Sequence, residues 1–108
     1  MTTEQYINTL KNPVKEPATV AARQVLCHYL YSENISCNII SKVLGCSRRI
    51  VYRNIYRTRD LLEVNDKITL AAYKEIENHH ITIRPCIIEG TILSQYIGYK
   101  MIIDNLIY

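Results

Sequence analysis

Residues 40–55 read ISKVLGCSRRIVYRNI, and this stretch decides the predicted fold. Ile40 and Leu44 lie one helical turn apart, so both side chains can face a core. Gly45 can adopt the positive φ that a tight helix-ending turn requires, and Ser47 can cap a new helix by accepting a hydrogen bond from a backbone N–H group. The stretch therefore predicts two short helices joined by a glycine turn, a helix-turn-helix.

The second helix of this motif has an apolar side and a basic side. Val51 and Ile55 repeat the four-residue apolar spacing. The outward positions are basic or aromatic: Arg48, Arg49, Tyr52, Arg53, Tyr56 and Arg57. Such a helix is suited to the major groove of DNA, so we predict that these residues, with Ser47 and Lys42, bind DNA. The alternative is an ordinary solvated helix face, with the tyrosines packed beneath the arginines.

The distribution of charge favours DNA binding more strongly than the total charge does. The formal net charge is only +3. Yet the window from Lys42 to Arg59 contains six basic and no acidic residues, whereas the rest of the chain has seven basic and ten acidic residues. A solvated helix face usually mixes the two signs to form i,i+4 pairs. The acid-free window therefore indicates a polyanionic partner.

Length and composition narrow the class of protein. A chain of 108 residues predicts a single domain, 1–108, and a hydrophobic content of 48% excludes a mainly disordered chain. No run of about 18 apolar residues is present, and the first residues lack the basic and apolar regions of a signal peptide. We therefore expect a cytoplasmic protein that does not contact a membrane.

The sequence carries no pattern typical of a metal site or an enzyme. The four cysteines are Cys27, Cys37, Cys46 and Cys86. They form no closely spaced pair, so buried thiols are favoured over zinc ligands. A phosphate-binding glycine loop, a Gly-x-Ser-x-Gly motif and a His-Glu-x-x-His motif are all missing from the sequence. We expect no catalytic activity, metal, cofactor or small-molecule substrate.

Apolar spacing along the chain predicts an all-α bundle of five to six helices, with its core in residues 17–77. The predicted helices are a weak one within 4–10, a long one from Pro17 to about Glu33, two motif helices from Ser36 and Ser47 (the second reaching Leu62), and one from Lys67 to about Asn78. A brief extended stretch at 81–83 is expected before Pro85.

The last segment, 85–108, is predicted to be a helix with an unusually wide apolar surface. Its apolar residues recur at helical spacing: Ile88, Ile92, Tyr96, Tyr99, Ile103 and Leu106. A helix that is apolar over most of its circumference must be covered on more than one side. A homodimer formed through this segment would cover it. A core helix in a monomer is the alternative.

Three segments share a pattern with a known family: Arg23-Gln24-Val25 with Tyr29-Leu30, residues 36–45, and Asn65-Asp66. Together they resemble the C-terminal DNA-binding domain of the bacterial replication initiator DnaA over residues 17–77. The resemblance implies a Trp-repressor-like fold, duplex DNA as the partner and a minor-groove contact for Arg23. The family's Asp-His-Thr base readers have no counterpart here, because Gly45 is followed by Cys46-Ser47-Arg48.

Two functions follow from these patterns. The first is sequence-selective binding of double-stranded DNA, as a small DnaA-like replication accessory or a transcription regulator. The second is a protein-protein interaction module, in which a helix-turn-helix scaffold no longer binds DNA and docks a partner through its apolar C-terminal segment. The acid-free basic window favours the first function, and the apolar C-terminal segment favours the second.

Overall fold

A computed structural model describes residues 2–11, 16–91 and 94–107. This part of the chain consists of helices followed by an antiparallel sheet. The helices are α1 (Thr3–Lys11), α2 (Pro17–Ser32), α3 (Cys37–Leu44), α4 (Arg48–Glu63) and α5 (Lys67–Glu77). The strands are β1 (Ile81–Thr91), β2 (Ser94–Ile103) and β3 (Leu106–Ile107), in the order β1-β2-β3. The fold is thus mostly helical but not all-α.

Local hydrogen bonds at the helix ends confirm the predicted boundaries of α3 and α4. Ser36 Oγ accepts from the N–H of Ile39, and Ser47 Oγ accepts from the N–H of Ile50, both at 3.3 Å. Gly45 ends α3 with φ +69°, in the left-handed region. These caps satisfy backbone groups that a helix end leaves unpaired. They fix where α3 stops and α4 starts.

Helices α2 and α5 also begin where the sequence predicts. Pro17 occupies the first turn of α2, where its missing N–H costs no hydrogen bond. Asp66 caps α5, because its carboxylate accepts from the N–H and the hydroxyl of Thr69 at 3.0 and 2.9 Å. The predicted break at 64–66 is therefore confirmed.

Helix α2 forms the centre of the core and packs against the other four helices. Its residues Val25, Leu26, Cys27 and Leu30 are fully buried. The other elements contribute Tyr6, Ile40, Val51, Ile76, Met101 and Ile103, all likewise buried. The chain contains no Phe or Trp, so this core depends on aliphatic side chains.

The prediction of a C-terminal helix over 85–108 is wrong. Strands β1 and β2 form a long antiparallel hairpin, in one register from Ile81 opposite Ile103 to Glu89 opposite Gln95, and the register shifts before Thr91 opposite Ser94. The segment is rich in Ile and Tyr, which prefer strands. The β-branched side chain of Ile loses rotamer freedom in a helix, and the aromatic ring of Tyr packs well on a pleated sheet. Apolar residues are so frequent in this segment that some of them fall at helical spacing by chance, although the backbone is extended. Of the residues at helical spacing, Ile92 lies outside the described residues.

A buried histidine fastens the hairpin to the helices. His79 is 7% exposed, its ring stacks on Tyr6 at 4.6 Å between centroids, and its Nε2 lies 3.3 Å from Glu75 Oε1. Its Nδ1 is hydrogen-bonded to Asp104 Oδ2, at the turn after β2. Both ring nitrogens of His79 therefore lie next to carboxylates, one on α5 and one in the turn after β2.

Asp104 collects two further hydrogen bonds. Thr3 Oγ1 donates to Oδ2 at 2.7 Å, and the N–H of His80 donates to Oδ1 at 2.8 Å. The hydrogen bond from His79, followed by that from His80, holds the pKa of the Asp104 carboxyl well below its usual range. Asp104 thus ties α1, the end of α5 and the hairpin together.

Candidate nucleic-acid interface

Helix α4 is held against the core by one row of buried side chains, and its basic and aromatic side chains lie exposed on the rest of its circumference. Val51, Ile55 and Thr58 are buried. All six cations of the acid-free window are exposed: Lys42, Arg48, Arg49, Arg53, Arg57 and Arg59. The Ser47 hydroxyl oxygen accepts from the N–H of Ile50 in capping α4, and the hydroxyl can still donate one hydrogen bond to a ligand. The N-terminus of α4 adds a partial positive charge to the same surface, because the backbone dipoles of a helix have their positive ends at its N-terminus.

The exposed surface of α4 carries two neighbouring rows of different chemistry. Successive residues of a helix turn by about 100°, so residues four apart lie nearly in line. Arg49, Arg53 and Arg57 form the arginine row, opposite the buried side chains. Tyr52 and Tyr56 form the tyrosine row beside it. The first acidic residues of α4 are Asp60 and Glu63, in its last turns.

The tyrosine row is partly organised by its own contacts. The rings of Tyr52 and Tyr56 stack, with centroids 6.5 Å apart and planes inclined by 22°. The guanidinium of Arg59 lies 5.0 Å from the centroid of the Tyr56 ring, and its Nε is 3.9 Å from the Asp60 carboxylate. The two tyrosines remain 45% and 52% exposed. Tyr56 therefore supports an arginine, as the alternative interpretation expected, but still offers half of its surface to a ligand.

A cleft of about 350 Å³ lies between the tyrosine row and the end of α2. Its lining includes Tyr31, His28 and Ser32 from α2 and Tyr52, Tyr56 and Arg59 from α4. Half of the surface of Tyr31 is exposed to solvent. A hydrogen bond with the Cys37 thiol raises the pKa of Tyr52, so its hydroxyl stays protonated at neutral pH. Sequence reasoning missed Tyr31 and His28, since neither belongs to the basic window.

His28 is positioned by contacts outside this cleft. Its Nδ1 is 2.9 Å from the hydroxyl of Tyr73, and the two rings meet edge to face at 5.6 Å. Burial, followed by the charge of Arg59, lowers the pKa of His28. The ring is therefore neutral at pH 7, and Arg59 is the cation among the described residues that line the cleft.

Arg23 lies apart from the arginine row. Its side chain is half-buried, and its Nε donates to the carbonyl oxygen of Leu10 at 3.0 Å, joining α2 to α1. It also lines a cavity of about 420 Å³ together with Cys46 and Ile50, close to the turn before α4. Arg23 therefore has a structural contact, and it lies near the turn rather than on the face of α4.

The three described thiols are all at least half-buried. Cys27 and Cys37 are buried and Cys46 is half-buried, all as free thiols, while the side chain of Cys86 lies outside the described residues. Burial raises the pKa of Cys27 to about 11, so this thiol stays protonated at neutral pH. Among the described residues no group of His, Cys, Asp and Glu side chains is placed to hold a metal ion.

Comparison with known proteins returned no matching family model, no matching curated protein and no matching solved structure. Within the described part of the chain, none of the helices has the length and apolar character needed to cross a membrane.

Proposed function

We propose that this protein binds double-stranded DNA, with α4 inserted in the major groove. One observation carries the proposal: the arginine row of α4 is exposed and follows a capped glycine turn within a stretch, residues 42–59, that contains no acidic residue. Asp66 acts electrostatically on Arg57, at the far end of the row from the glycine turn. Binding rather than catalysis is proposed, since the exposed face offers cations and aromatic rings without a nucleophile and base in contact.

The position of each residue along α4 suggests its role. Residues in the first turns of a recognition helix reach base edges, so Arg49 and Arg53 are the proposed base readers. Arg48, Ser47 and Tyr52 would contact nearby phosphates or sugars. Arg57 lies farther along α4 and Lys42 lies on α3, where phosphate contacts are expected. These phosphate contacts would supply affinity without selecting a sequence.

The resemblance to the DNA-binding domain of DnaA supports the same proposal. The order α2-α3-α4-α5, with the caps at Ser36, Ser47 and Asp66, is compatible with the Trp-repressor-like arrangement that the resemblance implies. A replication accessory or a transcription regulator is the proposed class, and Arg23 is the proposed minor-groove contact. The hairpin after α5 lies outside the residues that carry the resemblance.

The test is a selection of bound sequences from random duplexes, followed by titration of point variants against the selected site. Arg49→Ala or Arg53→Ala should cost about 1–3 kcal/mol on the selected site and relax its specificity at one position. Lys100→Ala is the matched control, because it also removes one exposed positive charge but lies on β2. If both arginine variants bind as tightly as the control, α4 is not the reading helix.

One observation favours the alternative, a protein-interaction module. Strand β1 is at the edge of the sheet, and among the described residues no strand pairs with its outer side. An open edge can accept a strand from another chain. Pro85, which lacks an N–H, is tolerated within β1 because edge strands can accommodate it. We propose a second copy of this chain as the occupant, giving a homodimer through the hairpin in place of the predicted helix.

A further inference from the structure

The cleft beside the tyrosine row has the features of a base-stacking site. Three tyrosines from two helices surround it, and each is about half exposed: Tyr31 at 50%, Tyr52 at 45% and Tyr56 at 52%. A single exposed aromatic ring is ordinary, whereas three exposed rings around one cleft offer stacking surfaces to a flat ligand. A volume of about 350 Å³ is at the lower end of the range for small-ligand pockets. The cleft is therefore large enough for one nucleobase and its sugar.

The charge around the cleft indicates which flat ligand it fits. Arg59 lies against Tyr56, and the charge of Arg48 acts on Tyr52, so the tyrosine row has a cation at each end. None of the described residues that line the cleft is acidic. Base stacking on aromatic rings beside cations that follow the backbone is the general mode of single-strand binding. A duplex cannot use the cleft in this way, because its bases are stacked on one another.

We infer that this cleft binds an unpaired base of single-stranded DNA between Tyr31 and the tyrosine row, with Arg59 on the adjoining phosphate. The inference rests on the proposed function in taking DNA as the ligand. The two sites nevertheless use different chemistry: the arginine row reads a paired duplex, and the cleft holds a base that has left the duplex. Bases become unpaired at the end of a duplex or in a melted region. At such a junction one protein would bind the duplex through the arginine row and the adjoining unpaired base through the cleft.

The test compares two fluorescent oligonucleotides of about twelve nucleotides, a length within the site sizes of single-strand binders. One is oligothymidylate, and the other has the same backbone with abasic positions. We expect the parent protein to bind oligothymidylate at least fivefold more tightly, since stacking of one base on an aromatic ring is equivalent to roughly 5- to 150-fold in affinity. Tyr31→Ala should abolish this difference. Tyr31→Phe, which keeps the ring, should retain it.

Two controls separate this inference from the proposed function. Tyr99→Ala removes a similarly exposed tyrosine from β2, and it should change neither the affinity for oligothymidylate nor that for the abasic oligonucleotide. Tyr31→Ala should leave duplex binding unchanged, whereas Arg49→Ala should weaken duplex binding and keep the preference for oligothymidylate. Equal binding of the two oligonucleotides by the parent protein would overturn the inference. So would an unchanged preference in Tyr31→Ala. If the parent protein prefers oligothymidylate but does not bind duplex DNA, only the proposed function would be overturned.

Discussion

Replacing Asp104 with Asn should destabilise the fold by removing a charge while leaving the shape of the side chain unchanged. The carboxylate accepts hydrogen bonds from Thr3 Oγ1, the N–H of His80 and His79 Nδ1. Asp104 has φ +48°, and Asn tolerates this left-handed backbone, so the substitution adds little strain. In the Asn variant an amide NH2 group replaces one oxygen and faces a donor, so at least one hydrogen bond is lost.

The cost follows from the number and kind of these hydrogen bonds. A hydrogen bond to a charged group contributes about 1.5–3 kcal/mol to stability. The Asp104 side chain is 25% exposed, so solvent screens its charge and weakens these hydrogen bonds. We expect a loss of about 1–3 kcal/mol in the free energy of unfolding. For a domain of this size, the midpoint of thermal unfolding should fall by roughly 5–15 °C. Urea unfolding followed by circular dichroism at pH 7 measures the loss directly.

The pH dependence of this loss gives a second test. Because the folded-state pKa of Asp104 is lowered, its stabilisation is fully present above the unfolded pKa of about 3.9 and is lost as the pH falls toward the folded value. The difference in stability between the parent and Asp104→Asn should therefore shrink below about pH 4. Asp60→Asn is the control. The Asp60 carboxylate is exposed and makes a long, solvent-screened ion pair with Arg59 at 3.9 Å, so its loss should change the free energy of unfolding by no more than about 0.5 kcal/mol. Equal midpoints for the parent and Asp104→Asn, or a difference that does not change in acid, would refute this reasoning.

Three further predictions concern the turn, a core thiol and assembly. Gly45→Ala should destabilise by about 1 kcal/mol in thermal unfolding, because a Cβ there meets nothing within 4 Å and only the positive φ of +69° is strained; Gly45→Asn should cost less. Cys27, whose pKa is raised to about 11, should react with a thiol reagent much more slowly than half-buried Cys46 in the native protein, and equal rates would contradict the buried position. Sedimentation equilibrium at tens of micromolar should give about twice the chain mass of 12.6 kDa, and a mass near 12.6 kDa would exclude the proposed dimer.

Features set by a few neighbouring residues could be predicted from the sequence. A cap such as Ser36 or Ser47 and a turn glycine such as Gly45 depend on hydrogen bonds within three or four positions, so the pattern alone places them. The arginine row was predictable for the same reason, since i,i+4 spacing fixes one side of a helix. Whether that row touches DNA stays a prediction.

Features that depend on distant partners could not be predicted. The hairpin requires Ile81 to pair with Ile103, and the local preference of Ile and Tyr for strands does not specify this distant partner. The link between His79 and Asp104 joins the segment that follows α5 to the turn after β2, so neither residue alone indicated it. The cleft likewise appears only when α2 brings Tyr31 beside Tyr52.

The salt dependence of duplex binding tests the central claim most directly. The affinity of the parent protein for a random-sequence duplex would be measured by fluorescence anisotropy between about 50 and 200 mM salt. If the exposed cations of α3 and α4 neutralise about three to five phosphates, a plot of the logarithm of the binding constant against the logarithm of the salt concentration should have a slope of about −2.7 to −4.5. A duplex affinity that does not change with salt, or no binding at the lowest salt, would contradict the proposal that this protein binds DNA.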